Sequence, residues 1–398
     1  MKTQFQIILL LVVTSFLTNV LAQEVSIPDP GLNAAIRETL SKPAGSLTVQ
    51  DLLTLTNLNA MQRSVSSLEG LSAAQNLTTL DLRGNQLTGD LDLPLGLTNL
   101  TWLNLCFNRL TNFALPADLT SLTFFGACEN QLTSFTVPAG LTNLTILELG
   151  GNQLTNLTLP EGLTSLVDVD LGTALLVGYD CCNRLTDLSF LNGLTNLSYL
   201  NLDGNQLTNF TLPAGLTSVG TLSLAYNHLT SLVLPAGLTN LTGLYLNGNQ
   251  LTDFSFLSGL TGLMGLYLQG NQLTNLTLPP GLTSLTYLYI DNTPLRTFVL
   301  SEPLAVTGLA PEVASLRNQG VSVYTYPLAV SLVSGKGTMA GAFEFTLTGP
   351  PGIYTVLSSA NLAAWSELGT LTNNLATAIF TDAEATNSSQ KFYRAQMP

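Results

Sequence analysis

The sequence contains few charged side chains, and most of them are acidic. Charged residues make up 9% of the 398 positions, with 12 basic against 25 acidic side chains, whereas about 25% is typical of proteins. Nucleic acids and anionic membranes need a basic surface stripe, so the composition excludes both as preferred partners. Because charge is scarce, the surface must consist mainly of Thr, Asn, Gln, Ser and Gly.

Residue types that carry enzyme chemistry are also scarce. His228 is the single histidine, so no second imidazole completes a metal-site spacing. No segment matches a nucleophile elbow, a phosphate-binding loop or a zinc motif. Glu148, Asp168 and Asp170 are the candidate carboxylates for acid–base chemistry on a glycoside. We predict a protein that is not an enzyme, with no cofactor and no metal site.

Long apolar runs are absent after the first 22 residues. That N-terminal segment has a positive charge at Lys2, an apolar run over residues 7–16, and the small-residue pattern Val20-Leu21-Ala22 of a cleavage site. The run is shorter than the roughly 20 residues that a transmembrane helix needs. The sequence predicts a signal peptide cleaved after Ala22 and a monomeric, secreted or cell-surface protein without a transmembrane segment.

What the sequence has in abundance is one pattern, L-x-x-L-x-L-x-x-N-x-L. It is clearest in residues 141–162, where Leu144, Leu147 and Leu149 precede Asn152 and Leu154. The pattern recurs in eleven coils, mostly at 22-residue steps, and a nine-residue insertion lies near residues 173–181. The anchoring residues are Leu55, Leu77, Leu100, Leu122, Leu144, Leu166, Leu197, Val219, Leu241, Leu263 and Leu285. A fixed period in this range predicts a solenoid.

A short coil cannot enclose its own leucines, so stability must come from stacking neighbouring coils into one core. Residues such as Leu147 and Leu149 alternate and point the same way, which predicts one parallel strand per coil. The pattern resembles the leucine-rich repeat family, in particular SDS22-like 22-residue repeats of bacterial, exported, internalin-like proteins. The predicted fold class is an α/β solenoid with a parallel β-sheet on the concave face and an extended or 3₁₀ convex side.

Most coils place an asparagine where the chain turns inward, and its amide can satisfy buried backbone groups. Arg63, Ala174 and Thr293 replace this asparagine in three coils. The predicted ladder consists of Asn85, Asn108, Asn130, Asn152, Asn205, Asn227, Asn249 and Asn271.

A second asparagine belongs to the triplet N-L-T, which formally matches a glycosylation acceptor. The repeat itself dictates this triplet, and its leucine must point inward, so we interpret it as structural. It occurs at Asn76, Asn99, Asn143, Asn156, Asn240 and Asn275.

The ends of the chain differ from the repeats, which occupy residues 55–309. Asp29 and Pro30 can begin a helix, and a second helical stretch spans residues 48–55, so residues 23–54 are predicted as a helical N-terminal cap. A C-terminal cap at 310–326 is predicted to hold one helix over 311–319 and a strand over 321–326. Residues 327–398 are predicted as a small β-sandwich, which resembles the β-rich C-terminal modules of large exported bacterial proteins. Its predicted strands span 328–333, 342–348, 353–359, 366–371, 376–381 and 391–395.

The four cysteines are compatible with disulfide bonds in an exported protein. Cys106 and Cys128 occupy the same position in adjacent coils, two residues before the ladder asparagine, so their Cα atoms should be about 5 Å apart. We predict that these two are bridged, and a strained bridge between the neighbours Cys181 and Cys182 is a second candidate. The alternative is a set of free thiols on the sheet.

Side chains that alternate with the strand leucines face the concave side, where a ligand would bind. Tyrosines on three consecutive coils should form one exposed stripe with about 4.8 Å between neighbours. An exposed aromatic row marks a binding surface, although tyrosine also suits strands for packing reasons alone. The predicted ligand-binding residues are Tyr245, Tyr267, Tyr289, Tyr287, Tyr199, Trp102, Phe124, Glu148, Asp168 and Asp170.

Three classes of function fit parts of the sequence. The leading interpretation is a non-enzymatic extracellular protein whose concave sheet binds a protein or carbohydrate partner. The alternative is a structural cell-surface or matrix component in which the repeats act as a spacer. The third class is an effector enzyme, because the segment L-P-A-G-L-T also resembles the repeats of secreted bacterial ubiquitin ligases. Those enzymes carry a catalytic cysteine after the repeats, whereas no cysteine follows Cys182 here, so we discard this interpretation.

Overall fold

The structure is a computed structural model that describes residues 23–172, 182–338, 341–385 and 390–397. The predicted signal peptide and the insertion near residues 173–181 lie outside the described residues. The chain divides into two compact units. Among the described residues, the first unit comprises those up to 207 together with 221–227, and the second comprises 208–220 and those from 228 onward.

The first unit contains eight short parallel strands, one from each coil. In sheet order they are β1 (Asn57–Asn59), β2 (Thr79–Asp81), β4 (Trp102–Asn104), β6 (Phe124–Gly126), β8 (Ile146–Glu148), β10 (Asp168–Asp170), β11 (Tyr199–Asn201) and β13 (Thr221–Ser223). Equivalent positions pair with each other, for example Leu147 with Val169. On the return side, β3 (Thr88–Leu91) pairs with β5 (Arg109–Phe113), and β7 (Ser134–Thr136) pairs with β9 (Asn156–Thr158).

The second unit repeats this arrangement with β15 (Gly243–Tyr245), β16 (Gly265–Tyr267) and β18 (Tyr287–Tyr289) in parallel. In each unit we call these strands the main sheet. The return side of the second unit holds the pair β12 (Asn209–Thr211) and β14 (Ser231–Val233), and the parallel sheet β17 (Asn275–Thr277), β19 (Thr297–Ser301) and β20 (Ser322–Tyr326). Single 3₁₀ turns occur at Leu71–Ala73, Ser189–Leu191 and Ser255–Leu257. The predicted parallel-sheet solenoid is confirmed, and its return side is extended or 3₁₀ as expected.

The repeated leucines form the core. Leu144, Leu147, Leu149 and Leu154 of one coil are all 0% exposed. Because the strands pair in register, equivalent leucines lie next to each other from coil to coil. Burying one such side chain contributes about 1.5–3 kcal/mol, so the stability of a coil depends on the coils beside it.

The asparagine ladder is present and buried. The Nδ2 of Asn152 donates to the carbonyl oxygens of Ala127 and Leu149 at 3.0 and 2.9 Å. The backbone N–H of Leu132 donates to the Oδ1 of Asn152 at 3.0 Å. Each ladder residue therefore satisfies buried groups on its own coil and on the preceding one.

One ladder prediction is wrong. The coil with the insertion does have a ladder asparagine, Asn183, which is 0% exposed. Its Nδ2 donates to the carbonyl oxygen of Leu171 at 2.9 Å, and the backbone N–H of Leu154 donates to its Oδ1 at 2.9 Å. The nine-residue insertion moves the asparagine from position 174 to position 183, so the substitution assigned to Ala174 does not exist.

The N-L-T triplets make a second, exposed set of bonds between coils. The Nδ2 of Asn143 donates to the carbonyl oxygen of Thr120 at 2.9 Å, and the hydroxyl of Thr145 donates to the carbonyl oxygen of Thr123 at 2.9 Å. Asn99 and Asn240 make the same kind of bond to the preceding coil, and Asn76 donates to the carbonyl oxygen of Leu53, just before the first coil. The triplet thus has a structural role at these positions.

Both helices predicted at the N-terminus are present. Helix α1 (Pro30–Thr39) begins after Asp29, whose Oδ1 accepts from the backbone N–H of Leu32 at 2.9 Å. Helix α2 (Val49–Leu53) begins with a reciprocal cap between Thr48 and Asp51. In the part of the chain that the structure describes, no helix has the length and apolar character needed to cross a membrane.

The repeats of the second unit are followed by two helices rather than the single predicted one. Helix α4 (Ala310–Asn318) matches the prediction and buries Val313 and Leu316, but the short helix α3 (Glu302–Val306) precedes it. Strand β20 then pairs in parallel with β19. Tyr326 at its end is fully buried, and its hydroxyl donates to the carbonyl oxygen of Leu278 at 2.7 Å.

The C-terminal segment forms two three-stranded antiparallel sheets. One has the order β21 (Ser331–Gly337), β22 (Phe343–Thr348), β25 (Thr377–Asp382), and the other has the order β24 (Ser366–Asn373), β23 (Gly352–Ser359), β26 (Phe392–Gln396). The rings of Phe345 and Tyr393 pack between them with centroids 5.2 Å apart. Asp382 accepts from the Lys391 ammonium at 2.6 Å and from the Tyr393 hydroxyl at 2.9 Å, which holds the last strand in place.

Candidate functional site

Three tyrosines stack on the main sheet of the second unit. Tyr245, Tyr267 and Tyr289 occupy equivalent positions on β15, β16 and β18. Their ring centroids are 4.3 and 4.8 Å apart, and successive ring planes differ by 14° and 12°. The predicted stripe is therefore present at the spacing of paired strands. We call these three residues the tyrosine stack.

The tyrosine stack lies at the surface of the sheet, with Tyr245 and Tyr267 half-buried and Tyr289 exposed. Inside the stack, each ring face covers the face of its neighbour. The ring of Tyr267 leans over Gly265, where an added methyl group would lie 3.3 Å from the ring. Tyr289 remains 41% exposed and the adjacent Tyr287 55% exposed. Burial, with a further contribution from Tyr245, raises the pKa of the Tyr267 hydroxyl, so this group stays a neutral donor and acceptor.

An aromatic pair lies on the main sheet of the first unit. The rings of Trp102 and Phe124 are stacked, with centroids 4.9 Å apart and planes 14° apart. The Arg83 guanidinium lies 5.9 Å from the Trp102 ring and donates to both carboxylate oxygens of Asp81. Phe124 leans over Gly126 as Tyr267 leans over Gly265. Glycine beside an aromatic residue thus lets the ring lie along the sheet.

Three half-buried carboxylates form an acidic patch in the first unit. Glu148 on β8 pairs in register with Asp170 on β10, and Asp168 lies two residues before Asp170. Asp170 accepts from the backbone N–H of Gly172 and from the Nδ2 of Asn201, both at 3.0 Å. Tyr199, another predicted site residue, lies across from Asp168 in the sheet and is half-buried.

The acidic patch holds its protons more tightly than exposed carboxylates do. Burial raises the pKa of Glu148, Asp168 and Asp170, and for Asp168 the value reaches about 6. Repulsion from Asp170 adds to the effect at both Glu148 and Asp168. Positive charge that approached this patch would relieve the repulsion.

Two further acids belong to this region and were missed in the sequence. Burial raises the pKa of Asp203 to about 6 and also raises that of Glu129. Asp203 accepts from the hydroxyl of Ser223 at 2.6 Å and from the backbone N–H of Ala225 at 2.7 Å. Asp203 stands two residues before a ladder asparagine, the same rule that located the cysteine pair, so the sequence did contain a signal for it.

Some positions expected to face a ligand are buried instead. Asp81, Asn104, Asn201 and Ser223 lie between the strand leucines, yet they are only 4–8% exposed. Their polar atoms bond within the chain, as when the backbone N–H of Cys106 donates to Asn104 at 2.9 Å. Other residues at the same coil position, such as Asp170, remain half-buried, so accessibility at this position differs from coil to coil.

The predicted disulfide between Cys106 and Cys128 is present. Their Cα atoms are 4.5 Å apart, and the backbone N–H of Cys128 donates to the Cys106 sulfur at 3.0 Å. Cys181 lies outside the described residues, so its bond to Cys182 stays a prediction.

Next to the aromatic pair, Asn57, Asn59, Thr79, Asp81 and Trp102 line an open groove of about 440 Å³. This groove is shallow and polar, unlike the enclosed, mostly apolar clefts that hold small molecules. This groove therefore fits the surface of a large partner better than it fits a small ligand.

Comparisons with protein families identify the repeat. The family described as Leucine Rich repeats (2 copies) matches residues 219–259, and the family described as Leucine Rich Repeat matches residues 76–97. The chain therefore contains leucine-rich repeats. No curated protein matches the chain in a sequence comparison.

Several solved structures are similar to this chain. An internalin (inlF) from Listeria monocytogenes is 26% identical, with a TM-score of 0.48, over 75% of this chain and 95% of that chain. An internalin C2 (inlC2) from the same organism is 28% identical, with a TM-score of 0.41, over 62% of this chain and 94% of that chain. A TDR receptor is 20% identical, with a TM-score of 0.52, over 70% of this chain and 53% of that chain. The last likeness supports the fold alone.

Proposed function

We propose that this protein is a non-enzymatic, exported binding protein whose main sheet engages a protein or glycan partner. The observation that carries this proposal is the tyrosine stack, three aromatic side chains that are aligned on consecutive strands and remain half-buried or exposed. A packed core needs leucines in the repeat, but it does not need tyrosine at three successive outward positions. Repeat solenoids commonly use such extended surfaces for recognition.

The orientation of the rings favours a protein as the partner. A sugar ring usually stacks its flat face on an aromatic face, but the inner faces of the tyrosine stack already cover one another. Ring edges and hydroxyls offer apolar contact together with hydrogen bonds at a low cost in side-chain entropy. This combination suits the mixed polar and apolar surface of a protein.

The acidic patch adds a charge preference in the first unit. Glu148, Asp168 and Asp170 carry raised pKa values because burial and mutual repulsion disfavour their charged forms. A basic side chain on a partner would remove part of that penalty, and complementary charge raises association rates and selectivity. We therefore expect the partner to present Lys or Arg to this patch.

Export is proposed from two features. The first 22 residues have the composition of a signal peptide. The Cys106–Cys128 disulfide suits an oxidising compartment. In this proposal the mature chain begins at Gln23 and acts as a secreted or cell-surface monomer.

Binding can be tested with the mature chain, residues 23–398, as immobilised bait. Extracellular proteins and a glycan array are presented to the wild type and to a Tyr267→Ala variant, and retained partners are then titrated. For a true partner, Tyr267→Ala should raise Kd at least fivefold, equivalent to about 1 kcal/mol, as for a recognition hot spot.

The matched control is Tyr324→Ala. Tyr324 lies on the return-side strand β20 of the same unit and is 41% exposed, like Tyr289. This variant should leave Kd unchanged. If no protein or glycan distinguishes the wild type from Tyr267→Ala, the proposed binding role is overturned and the spacer alternative gains support.

A further inference from the structure

The disulfide of the first unit lies beside a carboxylate. The sulfurs of Cys106 and Cys128 and one carboxylate oxygen of Glu148 all lie within 4.8 Å of one another. These residues come from three consecutive coils, and the register of β4, β6 and β8 fixes their positions. Two sulfurs and one oxygen at this distance have the composition of a site for a soft or borderline divalent cation.

In the oxidised protein the disulfide occupies both sulfurs, so neither can act as a thiolate ligand. A reductant changes this. A dithiol that exchanges with the disulfide supplies two electrons, becomes a disulfide itself, and leaves thiols at Cys106 and Cys128. The main sheet still holds the two Cα atoms 4.5 Å apart, because backbone pairing does not depend on the bridge.

We propose that reduction of the Cys106–Cys128 disulfide creates a binding site for one Zn²⁺ ion or a similar thiophilic cation, with Glu148 as the third ligand. Each thiol loses its proton as its sulfur binds the metal, so two protons are released per ion. A water molecule completes a tetrahedral coordination sphere. With zinc–sulfur bonds of about 2.3 Å, the two sulfurs need to separate to only about 3.8 Å.

Several local features favour this ligand set. The backbone N–H of Cys128 points at the Cys106 sulfur from 3.0 Å and would stabilise a thiolate there. Glu148 is half-buried near Asp168 and Asp170, and both neighbours repel its negative charge, whereas Arg83 compensates in part. A divalent cation would neutralise the two thiolates and relieve this repulsion.

The proposal implies that the same two coils are cross-linked in either redox state, by a covalent bond when oxidised and by a metal when reduced. It is independent of the binding role proposed for the tyrosine stack, which lies in the second unit, but it shares Glu148 with the acidic patch. It also departs from the sequence prediction of no metal site, because that prediction considered only motifs close together along the chain.

The test uses residues 23–398 with Cys181→Ser and Cys182→Ser, so that Cys106 and Cys128 supply the only thiols. Reduction with a phosphine, which takes up the oxygen of a water molecule and adds no competing thiol, is followed by dialysis against Zn²⁺ and metal analysis. We expect about one Zn²⁺ per reduced chain and a stoichiometry near zero for the oxidised chain. Cd²⁺ should give a thiolate charge-transfer band in the reduced chain alone.

Variants then identify the ligands. Cys106→Ser should abolish the charge-transfer band, and Glu148→Gln should weaken Zn²⁺ binding at least tenfold with an unchanged circular dichroism spectrum. Glu161→Gln, at an exposed acid elsewhere in the repeats, should bind as the parent does. The oxidised chain provides a comparison that needs no substitution. The proposal is overturned if the reduced chain binds no more metal than the oxidised one, or if Glu148→Gln binds Zn²⁺ as tightly as the parent.

Discussion

Tyr267 and Leu268 are neighbours in sequence, yet their surroundings are different. Leu268 is 0% exposed in the core, at a position that the other coils fill with leucine, isoleucine or alanine. Tyr267 stacks between two rings on the opposite side of the sheet, at a position that other coils fill with Asp, Asn, Gly, Glu or Ser. The inward side is nearly constant because every coil must pack on the next. The outward side is free to vary, so the specific chemistry of this protein lies there.

The largest expected effect on stability comes from replacing Leu268 and Tyr267 with alanine in two separate variants. Leu268→Ala should lower the free energy of unfolding by about 2–5 kcal/mol, because it leaves a cavity in a core that cannot fully collapse. Tyr267→Ala should cost about 1 kcal/mol, since it removes ring stacking outside the leucine core. Urea denaturation of both variants measures the difference. An equal loss in the two would show that the outward tyrosines belong to the folding core.

The two sets of asparagines give a similar comparison among polar residues. Asn152→Ala should cost about 3 kcal/mol, because it leaves buried groups of Ala127, Leu149 and Leu132 without partners. Asn143→Ala removes one exposed bond to Thr120 and should cost about 0.5 kcal/mol. Thermal unfolding of both variants provides the measurement. A cost for Asn143→Ala as large as that for Asn152→Ala would contradict this assignment of roles.

The positions that point into the core could be predicted from the sequence. The arrangement of the outward side chains could be predicted only in part. A period of 22 residues fixes the strand register, and the register alone placed the ladder, the Cys106–Cys128 bridge and the tyrosine stack. It could not show that Asn104 is buried or that Asp203 bonds to Ser223, because those outcomes depend on how side chains from adjacent coils fill the surface. The short helix α3 was missed because five residues carry too little periodicity to predict a helix.

Removing the Cys106–Cys128 disulfide tests whether the outward side of the sheet also contributes to stability. Thiol labelling of the exported protein under denaturing, non-reducing conditions should leave Cys106 and Cys128 unmodified. Replacing both with Ser should lower stability by about 3 kcal/mol at most, the entropy expected for closing a loop of roughly 22 residues. Stacking of coils supplies the rest, so the variant should still fold. Full labelling of either cysteine in the wild type would exclude the bridge.

The smallest expected effect on stability concerns Asp203, an outward residue whose buried carboxylate destabilises the folded state. Burial raises its pKa from 3.8 to about 6, so between about pH 4 and pH 6 the folded chain binds more protons than the unfolded chain. Stability should therefore fall as pH rises through this window, and Asp203 should account for a loss of about 1 kcal/mol between pH 5 and pH 7. Asp203→Asn keeps an oxygen that can accept from Ser223 and Ala225 but has no charge, so it should be more stable than the wild type at pH 7 and less sensitive to pH.

Urea unfolding at pH 5 and pH 7 tests this sign directly. The wild type should be more stable at pH 5, and some of that gain should persist in Asp203→Asn, because burial also raises the pKa of Glu148, Asp168 and Asp170. Glu161→Gln, at an exposed acid, should retain the full pH dependence of the wild type. If Asp203→Asn is less stable than the wild type at pH 7, the bonds from Ser223 and Ala225 to the charged carboxylate outweigh its burial, and Asp203 stabilises the fold instead of opposing it.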